Sequence, residues 1–206
     1  MLLSVHPVDP EPRKIEMIAG QLEQGAIVVC PTDTVYAFIC SPHHARAMEA
    51  IARLKGVKPH KAELSLICVD IAQATRYAKP LDTSVFRLLK RALPGAYTFI
   101  VAANGEVPKL FQTNRRTVGI RVPDHPIPLA LVAAMGHPLV AASVHDPDRV
   151  VDYTTDPERI AEHLGTQVDL VIDAGMGGLT ASTVIDVSSG DPILVRKGAG
   201  DPTILH

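Results

Sequence analysis

Apolar positions along this chain alternate between helical stripes and short continuous runs. Ile15, Ile18, Ala19 and Leu22 recur at helical spacing over residues 12–24, and Gly25 suits the end of that helix. Ala26-Ile27-Val28-Val29-Cys30 reads as a strand ended by Pro31, which cannot donate to a ladder. Ser41-Pro42 opens a second helix whose stripe is Ala45, Met48, Ile51 and Ala52, stopped by Gly56. A strand over 64–69, helices near 70–78 and 82–92, and a turn at Pro94-Gly95 lead into a strand over 97–102. Beyond it come a strand over 117–122, a helix over 127–135 closed by Gly136, and a strand over 139–143. Thr155-x-x-Glu158 spells a capping box for a helix reaching Gly165, and three short strands finish the chain. With no repeat, low-complexity tract or linker, this predicts one α/β domain over residues 1–206, with a twisted, mixed, open sheet flanked by helices.

Two polar segments interrupt the pattern. Thr32, Asp33 and Thr34 follow Pro31 at a strand end, where open α/β sheets bind ligands, although such residues also serve simply to satisfy local backbone groups. Arg121 sits in the strand Thr117-Val118-Gly119-Ile120-Arg121-Val122. There Val118, Ile120 and Val122 face one side and Thr117, Gly119 and Arg121 the other. A guanidinium in such a place calls for water or an anion, and Gly119 beside it leaves room for a close approach.

The composition narrows the class. Across 206 residues, 47% are hydrophobic, 20% are charged and the net charge is −2, which describes an ordinary globular protein. Cys30, Cys40 and Cys68 lie in apolar stretches without CxxC spacing. They read as reduced core thiols of a cytoplasmic protein, with no disulfide framework or zinc site. Met1–Pro7 lacks the basic region of a signal peptide, and no stretch approaches the ~20 apolar residues of a membrane span.

In order, Pro31-Thr32-Asp33-Thr34-Val35-Tyr36-Ala37-Phe38, Arg121-Val122-Pro123-Asp124-His125-Pro126, Ser182-Thr183-Val184-Ile185-Asp186 and Ile193-Leu194-Val195-Arg196-Lys197-Gly198 resemble the four motifs of the YrdC family. The resemblance runs from about residue 12 to 200 and is nearest to the family's YciO-type branch. It implies the YrdC-like fold and the binding of ATP with Mg²⁺, L-threonine and bicarbonate, with no tightly held cofactor. The implied reaction is formation of threonylcarbamoyl-adenylate, whose threonylcarbamoyl group partner proteins then pass to tRNA. By the same resemblance Arg121 holds the threonine carboxylate, Thr32 contacts the amino acid, and Ser182 lies near both ligands. Thr117, Ser143, Lys55 and Arg196 align with nucleotide contacts, and Lys55 with Arg121 forms the catalytic pair.

Three departures qualify this. The family's KxR becomes Lys55-Gly56-Val57, its SxN becomes Ser143-Val144-His145, and Ala37 replaces a glycine. A lost charge-assisted contact typically forfeits ~1.5–3 kcal/mol. Lys58 or Lys61 would supply replacement charge at the nucleotide, and His145 a hydrogen bond. Weak turnover or another amino-acid-like substrate is the outcome these departures allow.

The rival reading is a double-stranded RNA or tRNA module without robust synthase activity. It rests on Arg53, Lys55, Lys58 and Lys61, then Arg87, Lys90 and Arg91, then Arg115 and Arg116. Its requirement is that these clusters converge on one concavity, and the near-neutral net charge argues against strong nonspecific binding. Gly175-Met176-Gly177-Gly178 lacks the ending of a P-loop and reads as a turn. His43, His44, His60, His137 and His163 read as surface residues; His125 does too, but its place after Arg121-Val122-Pro123-Asp124 at a strand end singles it out, while Asp124, Asp173 and Asp186 suit loop capping or Mg²⁺ equally.

Overall fold

The computed structural model describes residues 1–58, 61–107, 116–144 and 152–205. Ten strands form one mixed sheet: β1 (Leu2–Ser4), β2 (Val28–Cys30), β3 (Ala37–Cys40), β4 (Ser65–Ile67), β5 (Tyr97–Ala102), β6 (Thr117–Arg121), β7 (Leu139–Ser143), β8 (Leu170–Asp173), β9 (Thr183–Asp186) and β10 (Ile193–Arg196). Their order across the sheet is β1-β8-β2-β3-β7-β4-β6-β5-β9-β10. Pairs β1–β8, β2–β8, β4–β6 and β5–β9 are parallel and the rest antiparallel. Six α-helices lie among the described residues: α1 (Pro12–Glu23), α2 (Ala45–Leu54), α3 (Ile71–Thr75), α4 (Thr83–Ala92), α5 (Pro126–Met135) and α6 (Pro157–Leu164).

Side-chain alternation sends each strand's residues into two cores. Val29, Phe38, Leu66, Phe99, Ile120, Val140 and Ile185 pack on one face against α2, α3, α4 and α6. Val28, Ile39, Ile67, Leu139 and Leu170 pack on the other against α1 and α5. The second core takes no residue from β5, β6, β9 or β10. Helices α1 and α5 therefore cover only part of their face, and Thr98, Thr117 and Arg121 stand on the remainder.

Most expected elements form, with shifted ends. The Thr155-x-x-Glu158 box does not cap α6: Asp156 does, accepting the Glu158 N–H at 3.0 Å, because Pro157 takes the first helical position. The helix expected from Ser41 starts at Ala45, so His43 and His44 precede it. His44 Nε2 meets the Glu23 carbonyl oxygen at 2.8 Å, and His137 meets the Glu23 carboxylate at 2.8 Å. Strands β1 and β3 were not expected. β1 is three residues long, and all four residues of β3 are buried, so no alternation marks it.

Candidate functional site

Residues 31–36 join antiparallel strands β2 and β3. The Thr32 hydroxyl donates to the Val35 carbonyl oxygen at 2.7 Å and accepts the Thr34 N–H at 3.2 Å, which curls the loop into a compact turn. The loop is propped from behind by residues 174–178. Tyr36 Oη donates to the Gly175 carbonyl oxygen at 2.7 Å, and the Gly178 N–H donates to the Thr34 carbonyl oxygen at 2.8 Å. Side chains at Gly177 and Gly178 would collide with the Tyr36 ring and the Thr34 carbonyl. The glycine-rich segment is thus a turn between β8 and β9, as expected, and also the seat of the hydroxyl loop.

Arg121, at the end of β6, meets that loop on the sheet face that α1 and α5 cover only in part. Its Nη2 donates to Thr34 Oγ1 at 2.7 Å and Thr32 Oγ1 at 3.4 Å and pairs with Asp33, which also accepts the Asp124 N–H at 3.1 Å. Arg121 is only 7% exposed, and its Nε is a buried donor without a partner among the described residues. Burial lowers its pKa from the usual arginine range, Asp33 opposes that, and the positive charge of Arg196 adds to it. A second positive charge thus acts on Arg121 against its pairing with Asp33, and an arriving anion would relieve it.

Strand register sets the remaining residues in place. Continuing the β5–β6 ladder by one residue sets Arg121 beside Thr98; Thr98 pairs with Val184, and Val184 with Arg196. These four residues form a row across β6, β5, β9 and β10 with an arginine at each end. Thr98 Oγ1 and Ser182 Oγ lie 2.8 Å apart along it, and Arg196 Nη2 donates to the Ser182 carbonyl oxygen at 2.9 Å. The close approach that Gly119 permits is taken up by its own neighbours. A methyl group there would press on Ser65 Cβ at 3.1 Å and Thr98 Cγ2 at 3.3 Å, so these neighbours close over it.

A second group lies at the other end of the strands. Ser65 pairs with both Gly119 and Ala141, which places Thr117 and Ser143 level with each other two residues further along. Lys55, at the end of α2, donates from Nζ to the Ser143 carbonyl oxygen at 3.1 Å. Thr117 is buried on the same face as Arg121. Lys61 is exposed in the turn before β4, and among the described residues no hydrogen bond or ion pair joins its side chain to the others. His60, His145 and Arg115 lie outside the described residues.

Sequence reasoning passed over three partners. Asp33 and Thr34 had been grouped with Thr32, but not as ligands of Arg121, 88 and 87 positions away. Thr98, partner of Ser182, was legible from alternation with Phe99 and Val101 in its strand. Asp173 and Asp186 act as loop caps, accepting the Gly175 N–H at 3.0 Å and the Ser188 N–H at 2.8 Å. The α4 cluster of basic residues lies away from Arg121. Arg87, Lys90 and Arg91 project from α4, which packs on the sheet face opposite Arg121, and Arg91 bonds the Ile204 carbonyl oxygen at 2.9 Å.

A family model described as Sua5_yciO_yrdC, telomere recombination, matches residues 20–198. The uncharacterized protein YciO of Escherichia coli is 39% identical over 199 residues, 96% of this chain and 95% of the relative. Its crystal structure superposes with a TM-score of 0.93, covering 100% of this chain and 99% of that one. A threonylcarbamoyl-AMP synthase of Halorhodospira halophila is 30% identical over 179 residues, 87% of this chain and 92% of the relative. The structure of Pyrococcus abyssi Sua5 complexed with L-threonine matches at 28% identity with a TM-score of 0.86, covering 96% of this chain and 57% of that longer one.

Proposed function

The chain belongs to the Sua5/YciO/YrdC family, and from that premise we propose that it condenses L-threonine, bicarbonate and ATP into threonylcarbamoyl-adenylate, the donor for threonylcarbamoyl modification of tRNA. The observation that carries this reading is the Arg121 guanidinium, buried on an open sheet face with Nε unpartnered and Arg196 at the other end of its row. A planar donor edge of this kind suits a carboxylate. A carboxylate arriving at Nε joins the turn of Thr32, Asp33 and Thr34 around one guanidinium.

Thr117 lies four residues from Arg121 on the same strand face, about 13 Å at strand rise. That distance suits an amino acid at Arg121 and a nucleotide extending toward Thr117, Ser143 and Lys55. Mg²⁺ arrives with the triphosphate as part of the substrate. In the chemical step the threonine amine takes up bicarbonate with loss of water to give a carbamate, and an oxygen of that carbamate bonds to the α-phosphorus. The bond from that phosphorus to the bridging oxygen breaks, and pyrophosphate leaves with the electron pair. The protein contributes positioning and positive charge, with Lys55 and Arg196 on the nucleotide side and Arg121 on the amino acid.

ATP–pyrophosphate exchange tests this. Exchange that requires both L-threonine and bicarbonate is expected. No exchange, with no ATP binding by calorimetry, would overturn the synthase reading. RNA binding that falls steeply with salt and ignores ATP would favour the nucleic-acid module instead.

A further inference from the structure

Strand β10 is the last strand of the sheet and, among the described residues, pairs with β9 alone. Asp191 through Lys197 are seven consecutive exposed residues. Within them Ile193 is 57% exposed, Leu194 40% and Val195 56%, the greatest concentration of exposed apolar side chains in any strand described. An edge strand offers unpaired N–H and C=O groups to another chain, and proteins ordinarily blunt such edges with charge. Here the charges bracket the apolar triplet rather than interrupt it.

The order of those charges identifies the partner. Asp191 stands before the triplet, and Arg196 and Lys197 stand after it. If the strand is laid antiparallel on a copy of itself with Leu194 facing Leu194, Ile193 faces Val195 and Asp191 faces Lys197, each pairing occurring twice by symmetry. A parallel alignment would set like charges side by side. Neither Asp191 nor Lys197 forms an ion pair within the chain among the described residues. Pro192 and the register shift between Leu194 and Arg196 confine the matching edge to this short stretch.

We infer that β10 is the docking surface for a second copy of this chain, joined edge to edge in an antiparallel two-fold pair centred on Leu194. Such an interface is self-complementary, uses the same edge of both copies and closes at two. Arg196, opposite Val184, keeps its place at the end of the anion row, so each candidate site would border the interface.

Sedimentation velocity of the full chain over increasing concentration tests the pairing. The mass should rise toward twice that of the monomer. Val195→Asp, Asp191→Lys and Lys197→Asp should each weaken association by at least about tenfold. The double variant Asp191→Lys with Lys197→Asp should recover it, because the swapped charges meet again across the two-fold axis. All these side chains are exposed, so at concentrations where the parent is monomeric the variants should melt at its temperature. A chain that stays monomeric at every concentration overturns the proposal. So do dimers indifferent to all three single changes, or a double variant that fails to recover.

Discussion

Arg121 holds a charge that its surroundings resist. Burial and Arg196 work against the guanidinium, and Asp33 alone among the acids acts to keep it charged. Arg121→Ala would leave the Asp33 carboxylate, itself largely buried, without its cation, at a cost of about 3 kcal/mol in stability. Arg121→Lys is therefore the better kinetic probe. It keeps a positive charge but loses the planar fork, and should raise the L-threonine requirement by roughly 10- to 100-fold with little change for ATP. Arg196→Ala should do the reverse, and exchange kinetics with each substrate varied in turn separate the two effects.

His125, which caps α5 and accepts the Ile127 N–H at 3.3 Å, stands beside the same cluster. Burial pushes its imidazole below the ordinary value of 6.5, against the opposing pull of Asp33 and Asp124. The unfolded chain then takes up a proton that the folded chain refuses. Stability should accordingly fall as the pH drops below about 6.5. Urea midpoints between about pH 7.5 and 5.5 should show this in the parent, and less of it in His125→Asn, which keeps an acceptor for the cap.

At the level of elements, the hydroxyl loop depends on the segment behind it. Gly178→Ala would drive a methyl group into the Thr34 carbonyl, so it should lower stability by about 1–3 kcal/mol and weaken threonine binding with it. Gly20→Ala is the control: it is exposed within α1 with nothing within 4 Å, and should stabilise by about 0.5–1 kcal/mol in the same denaturation assay. The dependence of residues 31–36 on residues 174–178 was not legible in the sequence, because nothing in Gly-Met-Gly-Gly says which carbonyl it will approach. What could be read was whatever has a local period. The bounds of β5 and β7 were expected as observed, since apolar residues and a turn or a glycine delimit both. The polar face of β6 was likewise read from alternation. β3 escaped because both its faces are buried, and the Arg121–Asp33 pair because it spans two distant segments.

For the whole molecule, the three thiols report on integrity. Burial pushes Cys30, Cys40 and Cys68 upward, the latter two to about 12, so their thiolate forms are scarce near neutral pH. The native chain should resist alkylation, and all three should react together on unfolding, as mass spectrometry after a denaturant series would show. The α/β alternation foretold a mixed sheet, but strand order follows from pairings such as β1–β8 and β3–β7, which no local pattern encodes.

The strand order also sets a timetable for synthesis. β2 and β3 leave the ribosome early as a hairpin, yet β7 must arrive to flank β3 and β8 to flank β2. The hydroxyl loop between them acquires its backing at Gly178, only after β8 has been made. A nascent chain would carry its hydroxyls, and even Arg121, well before it could hold a ligand with them.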